Sequence, residues 1–477
     1  MGCVVWDNKA VKRKNVWLAL LFAVAYLPSL VNFFSADDWF HLRVSNINKL
    51  SEFLNFFSFS KTAQSISFYR PLPTQVFFFV FQKLFGLNPL PYHIFVIVCF
   101  GYSLYLINKL AVSLLNSPKK ALLATLIYGF SVSNFTRIYF LSAFQEIALV
   151  IFACLCLLNY LNNRKWRSLI FFVLALLSKE TAVVLPLIIL IIDWSRKKLN
   201  LKKLIPFALI LLPYLYLRFF QFGGAVGETY VWNFSLIRAG NTLIWYFLWS
   251  LGAPELLIDY IGSGLKPIPR FFTDFPLWWP VILVPLIMLL VLLLKRSLHF
   301  GRDDRGGGRD DKLWAFAVLF VISLLPVLFL PQHKFALELG LPLIWFAFGV
   351  SYLLPAKGKL LYAFLIIYLS LNLTMNYLTY TRHYSVGRAK VSQKVFEYIS
   401  KNYPQEPKNS YFEFANDTPD YGVSWGSSKQ IANSIGGSEL FRVLYRDPSY
   451  NVYYEDFPGI RPENEKKVSL STKMFVW

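Results

Sequence analysis

The sequence is poor in cysteine, in acidic side chains and in charge of either sign. Its 477 residues include four cysteines: Cys3 near the start, and Cys99, Cys154 and Cys156 inside apolar stretches. None lies in the hydrophilic C-terminal region, so no disulfide framework holds that region together. No His or Cys cluster has metal-ligand spacing, so the sequence requires no metal or other cofactor. Charged residues make up 16% of the chain against 56% hydrophobic and 18% aromatic, and the mean hydropathy is +0.46. That composition excludes an ordinary soluble domain of this length. Repeats are missing as well, including any tetratricopeptide pattern.

What fills the chain is a series of apolar runs. Stretches long enough to span a bilayer, which takes about 20 helical residues, recur from Val16 almost to Tyr380. Lys and Arg number 48 against 27 Asp and Glu, a net charge of +21. In a soluble chain that excess would suggest nucleic acid. Here the basic residues fall in short clusters between apolar spans, the pattern that orients membrane helices, and no nucleic-acid partner is expected. The clusters are Lys9 to Lys14, Lys119-Lys120, Arg164 to Arg167, Arg196 to Lys203, Lys295 to Lys312, and Lys357 with Lys359.

With every cluster cytoplasmic, the spans fall near 16–34, 91–115, 120–136, 138–160, 166–179, 181–194, 203–220, 277–295, 313–331, 335–354 and 359–379. This arrangement of about eleven spans puts the N-terminus inside and the C-terminus outside a cell (plasma) membrane. The run from Val16 to Phe34 has the basic flank of a secretory signal ending near Ser35-Ala36. Its length and the many spans that follow favour a retained first helix. Between Arg167 and Arg196 the chain must go out and back in two short halves, turning at Ser178-Lys179-Glu180. A charged pair at such depth is tolerated beside a water-filled cavity.

The interrupted Phe-rich stretches Phe53 to Phe59 and Pro73 to Phe85 suit helices lying in the outer interface. A second external loop covers 221–276, with a short helix at Asn241 to Ser250, and 297–312 forms a cytoplasmic linker. From Arg382 the composition turns polar. The expected fold class is therefore an all-α polytopic membrane protein with a small external C-terminal α/β domain. Its transmembrane domain covers 1–380, with external loops 35–90 and 221–276, and its C-terminal domain 381–477.

Four polar groups far apart in sequence then share one face of the membrane: Asp37-Asp38 with His41, Tyr69-Arg70-Pro71, Ser178-Lys179-Glu180, and Gln332-His333-Lys334. An acidic pair just after a helix can take the proton of an acceptor hydroxyl or bind a divalent cation. Lys, Arg and His can neutralise a phosphate leaving group. Each group also has a structural reading. The acidic pair can cap a helix, Lys179-Glu180 can be a salt bridge, and His333-Lys334 can anchor an interface.

The string Phe68-Tyr69-Arg70-Pro71-Leu72, then Leu84-Phe85-Gly86-Leu87-Asn88-Pro89 and Tyr92-His93, resembles the first external loop and second helix of GT-C glycosyltransferases. It is most similar to their TMTC/protein O-mannosyltransferase-like branch. Asp37-Asp38-Trp39 after the first helix, and Leu176-Leu177-Ser178-Lys179-Glu180 running on to Pro186, match the same branch. The resemblance covers about 16–195 well and 313–380 more loosely.

The resemblance implies a GT-C fold and an inverting hexosyltransferase using a polyprenyl-phosphate sugar donor on the external face. Its implied base is Asp37 or Asp38. Arg70, Lys179 and His333 or Lys334 would contact the donor phosphate. Glu146 would line the acceptor side, with His41, Tyr69, His93 and Glu180 in support. The acceptor is a glycan, a lipid or a protein. The chain has Ser133-Asn134 where relatives often have His-Pro, and His333-Lys334-Phe335 where they have Arg-Tyr. Without a tetratricopeptide tail or a retention signal, a prokaryotic membrane is expected. A lipid-linked oligosaccharide flippase would instead carry charges along its bundle interior and show repeat symmetry. A polysaccharide polymerase or ligase would share the chemistry, and a non-catalytic scaffold would need none of it.

Overall fold

A backbone in hydrocarbon must satisfy its own hydrogen bonds, so apolar runs of sufficient length become helices. The computed structural model describes residues 26–476, except 61, 63, 65, 67, 224–229, 263–265, 277, 304–309, 418–425 and 458. Most of the expected first span, 16–34, lies outside the described residues. The chain is mostly helical. Its described helices are α1 (Asp37–Ser45), α2 (Leu50–Asn55), α3 (Leu72–Phe85), α4 (Pro89–Leu115), α5 (Pro118–Phe130), α6 (Phe135–Tyr139), α7 (Phe144–Leu161) and α8 (Lys165–Leu176). They continue as α9 (Leu185–Ser195), α10 (Ile205–Leu217), α11 (Leu236–Leu251), α12 (Pro269–Asp274), α13 (Trp278–Asp303), α14 (Asp310–Leu328), α15 (Pro342–Leu353) and α16 (Lys359–Arg382).

Six described helices are long and apolar enough to cross a bilayer: Pro89–Leu115, Leu141–Leu161, Leu201–Gln221, Trp278–Ser297, Asp311–Leu328 and the helical stretch beginning at Lys359. Two of them are mostly bare of protein. Only 11% of the apolar window in Leu201–Gln221 and 17% of that in Trp278–Ser297 is buried, leaving Leu209, Leu212, Phe219 and Ile287 exposed. Side chains of that kind in contiguous rows require lipid as their solvent. By contrast Leu141–Leu161 is 78% buried and forms the centre of the bundle, packed between α4 and α8.

Helix boundaries follow local chemistry. Asn88 caps α4 by accepting a hydrogen bond from the Leu90 amide at 3.1 Å, with Pro89 in the first turn. The helix ends at Asn116 in the left-handed region, φ 52°. Ser117 likewise accepts from the Lys120 amide at 3.4 Å to start α5.

Among the described residues six of the about eleven spans expected from the positive-inside pattern appear as long helices; most of 16–34 lies outside the described residues, and at the other four the reason is visible. The stretch 120–160 breaks at Ser131 into a tight turn at Val132–Asn134, the short α6 and another turn at Leu141–Ala143. The hairpin between Arg167 and Arg196 is built of α8 and α9, too short to span, around a buried turn at 177–184. The stretch 335–354 starts with a 3-10 turn, Ala336–Leu339, before the 12-residue α15. Each break holds polar side chains inside the protein: Ser131 and Arg137, Lys179, and Glu338 are all buried. Of the external loop, α11 runs over Leu236–Leu251, longer than the expected Asn241 to Ser250.

The polar C-terminal region forms an α/β module. It comprises α17 (Tyr384–Asn402), β1 (Ser410–Ala415), α18 (Ser427–Ile435), α19 (Glu439–Tyr445), β2 (Tyr453–Tyr454) and β3 (Lys466–Ser471). The sheet is parallel in the order β2-β1-β3 and pairs Phe412 with Val468 and Glu413 with Tyr453. Phe412, Phe414, Ile431, Leu440 and Phe441 fill its core. The module packs directly on α1 through α19.

Gly252 closes α11 at φ 117°, and a Cβ there would stand 2.6 Å from Nδ2 of Asn372. Oδ1 of Asn372 accepts the Val132 amide at 2.8 Å, so this contact braces the turn before α6. Gly252→Ala is expected to lower stability by on the order of 2 kcal/mol, read as a lower thermal midpoint in detergent.

Candidate active site

The acidic pair diverges at once, because consecutive residues on a helix point about 100° apart. Asp38 turns inward. Its carboxylate accepts the Ser35 amide at 2.9 Å, the Ser142 amide at 2.8 Å and the Ser142 hydroxyl at 2.5 Å, which ties α1 to the segment preceding α7. Burial pushes its pKa up to about 7, against the pull of those donors. Asp37 turns outward into a cavity of about 970 Å³. Among the described residues no hydrogen bond to its carboxylate is formed. The side chain is open to the cavity yet surrounded by protein, and that desolvation raises its pKa, opposed by the charges of Arg388 and Arg70.

His41, one helical turn on from Asp37, lines the same cavity. Burial and the nearby Arg70 charge lower its pKa to about 3, so it is a neutral imidazole, and among the described residues its Nδ1 has no hydrogen-bond partner. Across the cavity stand Glu255 and Asp259, then His333, Lys334 and Glu338, and finally His383, Tyr384, Arg388 and Gln430 from the module side. Burial and the Glu255 charge raise the Asp259 pKa.

Arg70 forms the boundary between this cavity and a second, apolar one of about 420 Å³. Its guanidinium donates through Nε to Glu180 at 2.6 Å and through Nη2 to the other carboxylate oxygen, and through Nη1 to Gln145 at 2.5 Å. The Phe68 ring lies 4.6 Å beneath it. Burial alone would raise the Glu180 pKa, but Arg70 outweighs it and holds the group at about 2. The apolar cavity runs past Val183, Leu187, Leu215, Phe219, Trp232 and Leu330. Tyr230, packed at a tilt against His333 with ring centres 4.3 Å apart, lines both spaces.

Lys179 is buried between two carboxylates. It donates to Glu146 and, at 2.7 Å, to Glu338, whose other oxygen lies 3.6 Å from Nε2 of His333. Glu338 is held below the usual carboxylate range: burial opposes this, and Lys179 and His333 overcome it.

Asp37, His41, Arg70, His333 and Lys334 thus share the polar cavity, and Lys179 and Glu180 line the adjoining apolar one. Glu146 lies under Lys179 rather than on a cavity wall. Tyr69 points away and donates to the Phe57 carbonyl at 2.8 Å, and His93 is fully buried in the core of the bundle. Lys334 donates to Asn241 at 3.1 Å. The sequence reading missed Glu255, Asp259, Glu338, His383 and Arg388. Glu338 carried a signal, an acidic residue in an otherwise apolar run. Arg388 and Gln430 carried none. Among the described residues, no three His, Cys, Asp or Glu side chains are grouped to hold a metal ion.

No protein-family model and no curated protein matches the sequence. Among solved structures the chain is similar to arabinofuranosyltransferase AftD from Mycobacteria, with 14% identity over 92% of this chain and 32% of that one and a TM-score of 0.46. It is also similar to ArnT from Cupriavidus metallidurans bound to undecaprenyl phosphate, with 12% identity over 94% of this chain and 90% of that one and a TM-score of 0.36. The chain spans about a third of the length of AftD. TM-scores below 0.5 do not establish a shared fold, and the function of this chain is read from its own residues.

Removing one partner of a buried ion pair strands the others, at a cost of about 3–5 kcal/mol. Lys179→Met is expected to lower the thermal midpoint in detergent sharply. Asp37→Asn removes a desolvated charge that nothing bonds, and is expected to melt at or above the wild-type temperature.

Proposed function

We propose that the chain is an integral membrane glycosyltransferase that moves a sugar from a polyprenyl-phosphate donor to an acceptor hydroxyl. The observation that carries this reading is the junction at Arg70. A polar cavity with an unbonded carboxylate meets an apolar cavity there, inside a protein whose helices require lipid. A donor with a long hydrocarbon tail, an anionic phosphate and a hydrophilic sugar has the same three parts in the same order. The GT-C fold and the O-mannosyltransferase-like branch remain part of this reading, on the strength of the motifs around Asp37, Arg70 and Lys179.

In the reaction, the acceptor O–H proton passes to the Asp37 carboxylate as the acceptor oxygen bonds to the anomeric carbon. The bond from that carbon to the phosphate oxygen breaks, and the electron pair leaves with the lipid phosphate. A single displacement of this kind inverts the anomeric centre. Arg70 is the cation best placed to meet the departing phosphate, since it borders both spaces, and His333 lines the same two spaces beside it. Lys179 acts at one remove, by fixing Glu338 and His333. His41 and the far wall of Glu255, Asp259 and Gln430 supply hydrogen-bonding groups suited to sugar hydroxyls. We assign the site to the external face, in a cell membrane with the N-terminus cytoplasmic, because the basic clusters then all lie inside.

Purified protein in detergent would be incubated with labelled undecaprenyl-phosphate pentoses and hexoses and an acceptor extract, and release of lipid phosphate followed. Asp37→Asn is expected to cost about 10²–10⁴-fold in rate, the usual contribution of a general base. Wild-type transfer by that variant would sink the assignment.

The pH profile offers a second test. A base works deprotonated, and burial raises the pKa of Asp37, so the rate is expected to fall as pH drops through that raised value. The acid limb should lie above the range of an ordinary aspartate, about 3.9.

A further inference from the structure

We propose that the C-terminal module positions the catalytic base, through a clasp formed by Ser434 and Gly436 on the peptide of Ala36. This rests on the reading of Asp37 as the base.

Ala36 immediately precedes Asp37 and has φ 47° and ψ −117°, a conformation that suits glycine and costs a residue with a Cβ about 1–3 kcal/mol. Such a backbone persists only where its surroundings hold it. On one side the Ala36 amide donates to the carbonyl of Ser434 at 2.7 Å. On the other, the Ala36 carbonyl lies against Gly436 so closely that a Cβ there would sit 2.7 Å from its oxygen. Both contacts come from the C-terminal end of α18, about 400 residues away in sequence.

The rest of α1 is tied to the same module. Arg43 pairs with Glu439, Trp39 donates to the Ser392 hydroxyl at 2.8 Å, and the Trp39 ring stacks on Phe396 at 5.9 Å. Asp38 anchors the opposite side of α1 to Ser142. Asp37 is therefore set between two fixed points, and the module also contributes Arg388 and Gln430 to the cavity wall. A module needed only for folding would not have to meet the chain at the one strained residue beside the base.

Two neighbouring glycines separate positioning from general strain. Gly436 and Gly437 have nearly the same positive φ, 67° and 65°, but a Cβ on Gly437 meets nothing within 4 Å. Gly436→Ala and Gly437→Ala therefore carry similar backbone penalties, and only the first pushes on Ala36. With an undecaprenyl-phosphate sugar that the wild type turns over, Gly436→Ala is expected to lose about 10²-fold in kcat, the scale of a misplacement of about 1 Å. Its KM for the donor should stay within about 2-fold, since donor contacts are untouched. Gly437→Ala should keep kcat within about 2-fold of wild type. Equal kcat values for the two variants would overturn the clasp.

Hydrogen–deuterium exchange at the amides of 36–45 gives a readout that does not need the reaction. Exchange should be faster in Gly436→Ala than in Gly437→Ala, and equal rates would also overturn the clasp. Should Asp37→Asn keep wild-type activity, the base assignment fails while this exchange result still decides the clasp. If Gly436→Ala does not accumulate as folded protein, Arg43→Gln cuts the tether to Glu439 with every glycine in place. It is expected to lower kcat and leave KM unchanged; wild-type kcat there would count against positioning.

Discussion

A lysine buried between two carboxylates organises this molecule. Lys179 joins Glu146 of α7 to Glu338 of the turn before α15, while its neighbour Glu180 holds Arg70 from the start of α3. Four segments distant in sequence meet in one charge network at the depth where apolar helices break. Networks of this kind add little net stability, because desolvation offsets attraction, but they are costly to leave incomplete. What the network provides is a fixed place for Arg70 and His333 on the wall between two cavities. The short halves of the α8–α9 hairpin follow from it, since neither can cross the bilayer and still bring Lys179 to that point.

The two cavities divide the work. The larger is the more polar of the two and is lined by α1, by the segments around Glu255 and Glu338, and by the C-terminal module. The smaller is apolar and is lined by α9, α10 and α14, of which α10 belongs to a stretch that is almost bare of protein contacts. A ligand reaching the site along that side passes exposed apolar side chains such as Leu187 and Phe219, and one entering the larger cavity passes charged and hydrogen-bonding groups. This separation favours transfer between a lipid-borne and a water-borne partner. It is less suited to moving an intact lipid-linked glycan across the membrane, which would need polar surface along the bundle.

Much of this was legible in the sequence, and the parts that were not have physical causes. Membrane class, the polar C-terminal region and the gathering of Asp37, Arg70 and His333 follow from hydropathy, basic clusters and charged residues where charge is expensive. The choice between Asp37 and Asp38 was not legible, because it depends on the direction of each side chain and on Ser142, about 100 residues away. Lys179 was expected near the donor phosphate, and the structure places it between carboxylates; its partners Glu146 and Glu338 become neighbours only through helix packing. Four expected spans are not single long helices because polar breaks such as Ser131 and Lys179 look, to a hydropathy scale, like interruptions that an apolar run can absorb. The role of the C-terminal module was invisible, since its contacts with Ala36, Trp39 and Arg43 are tertiary and carry no local motif.

The most direct measurement is a structure of the protein with undecaprenyl phosphate bound. The phosphate is expected at Arg70 and His333, and the hydrocarbon tail along Val183, Leu187, Leu215 and Phe219 toward lipid. A phosphate bound away from Arg70, or a tail that avoids the apolar cavity, would contradict it.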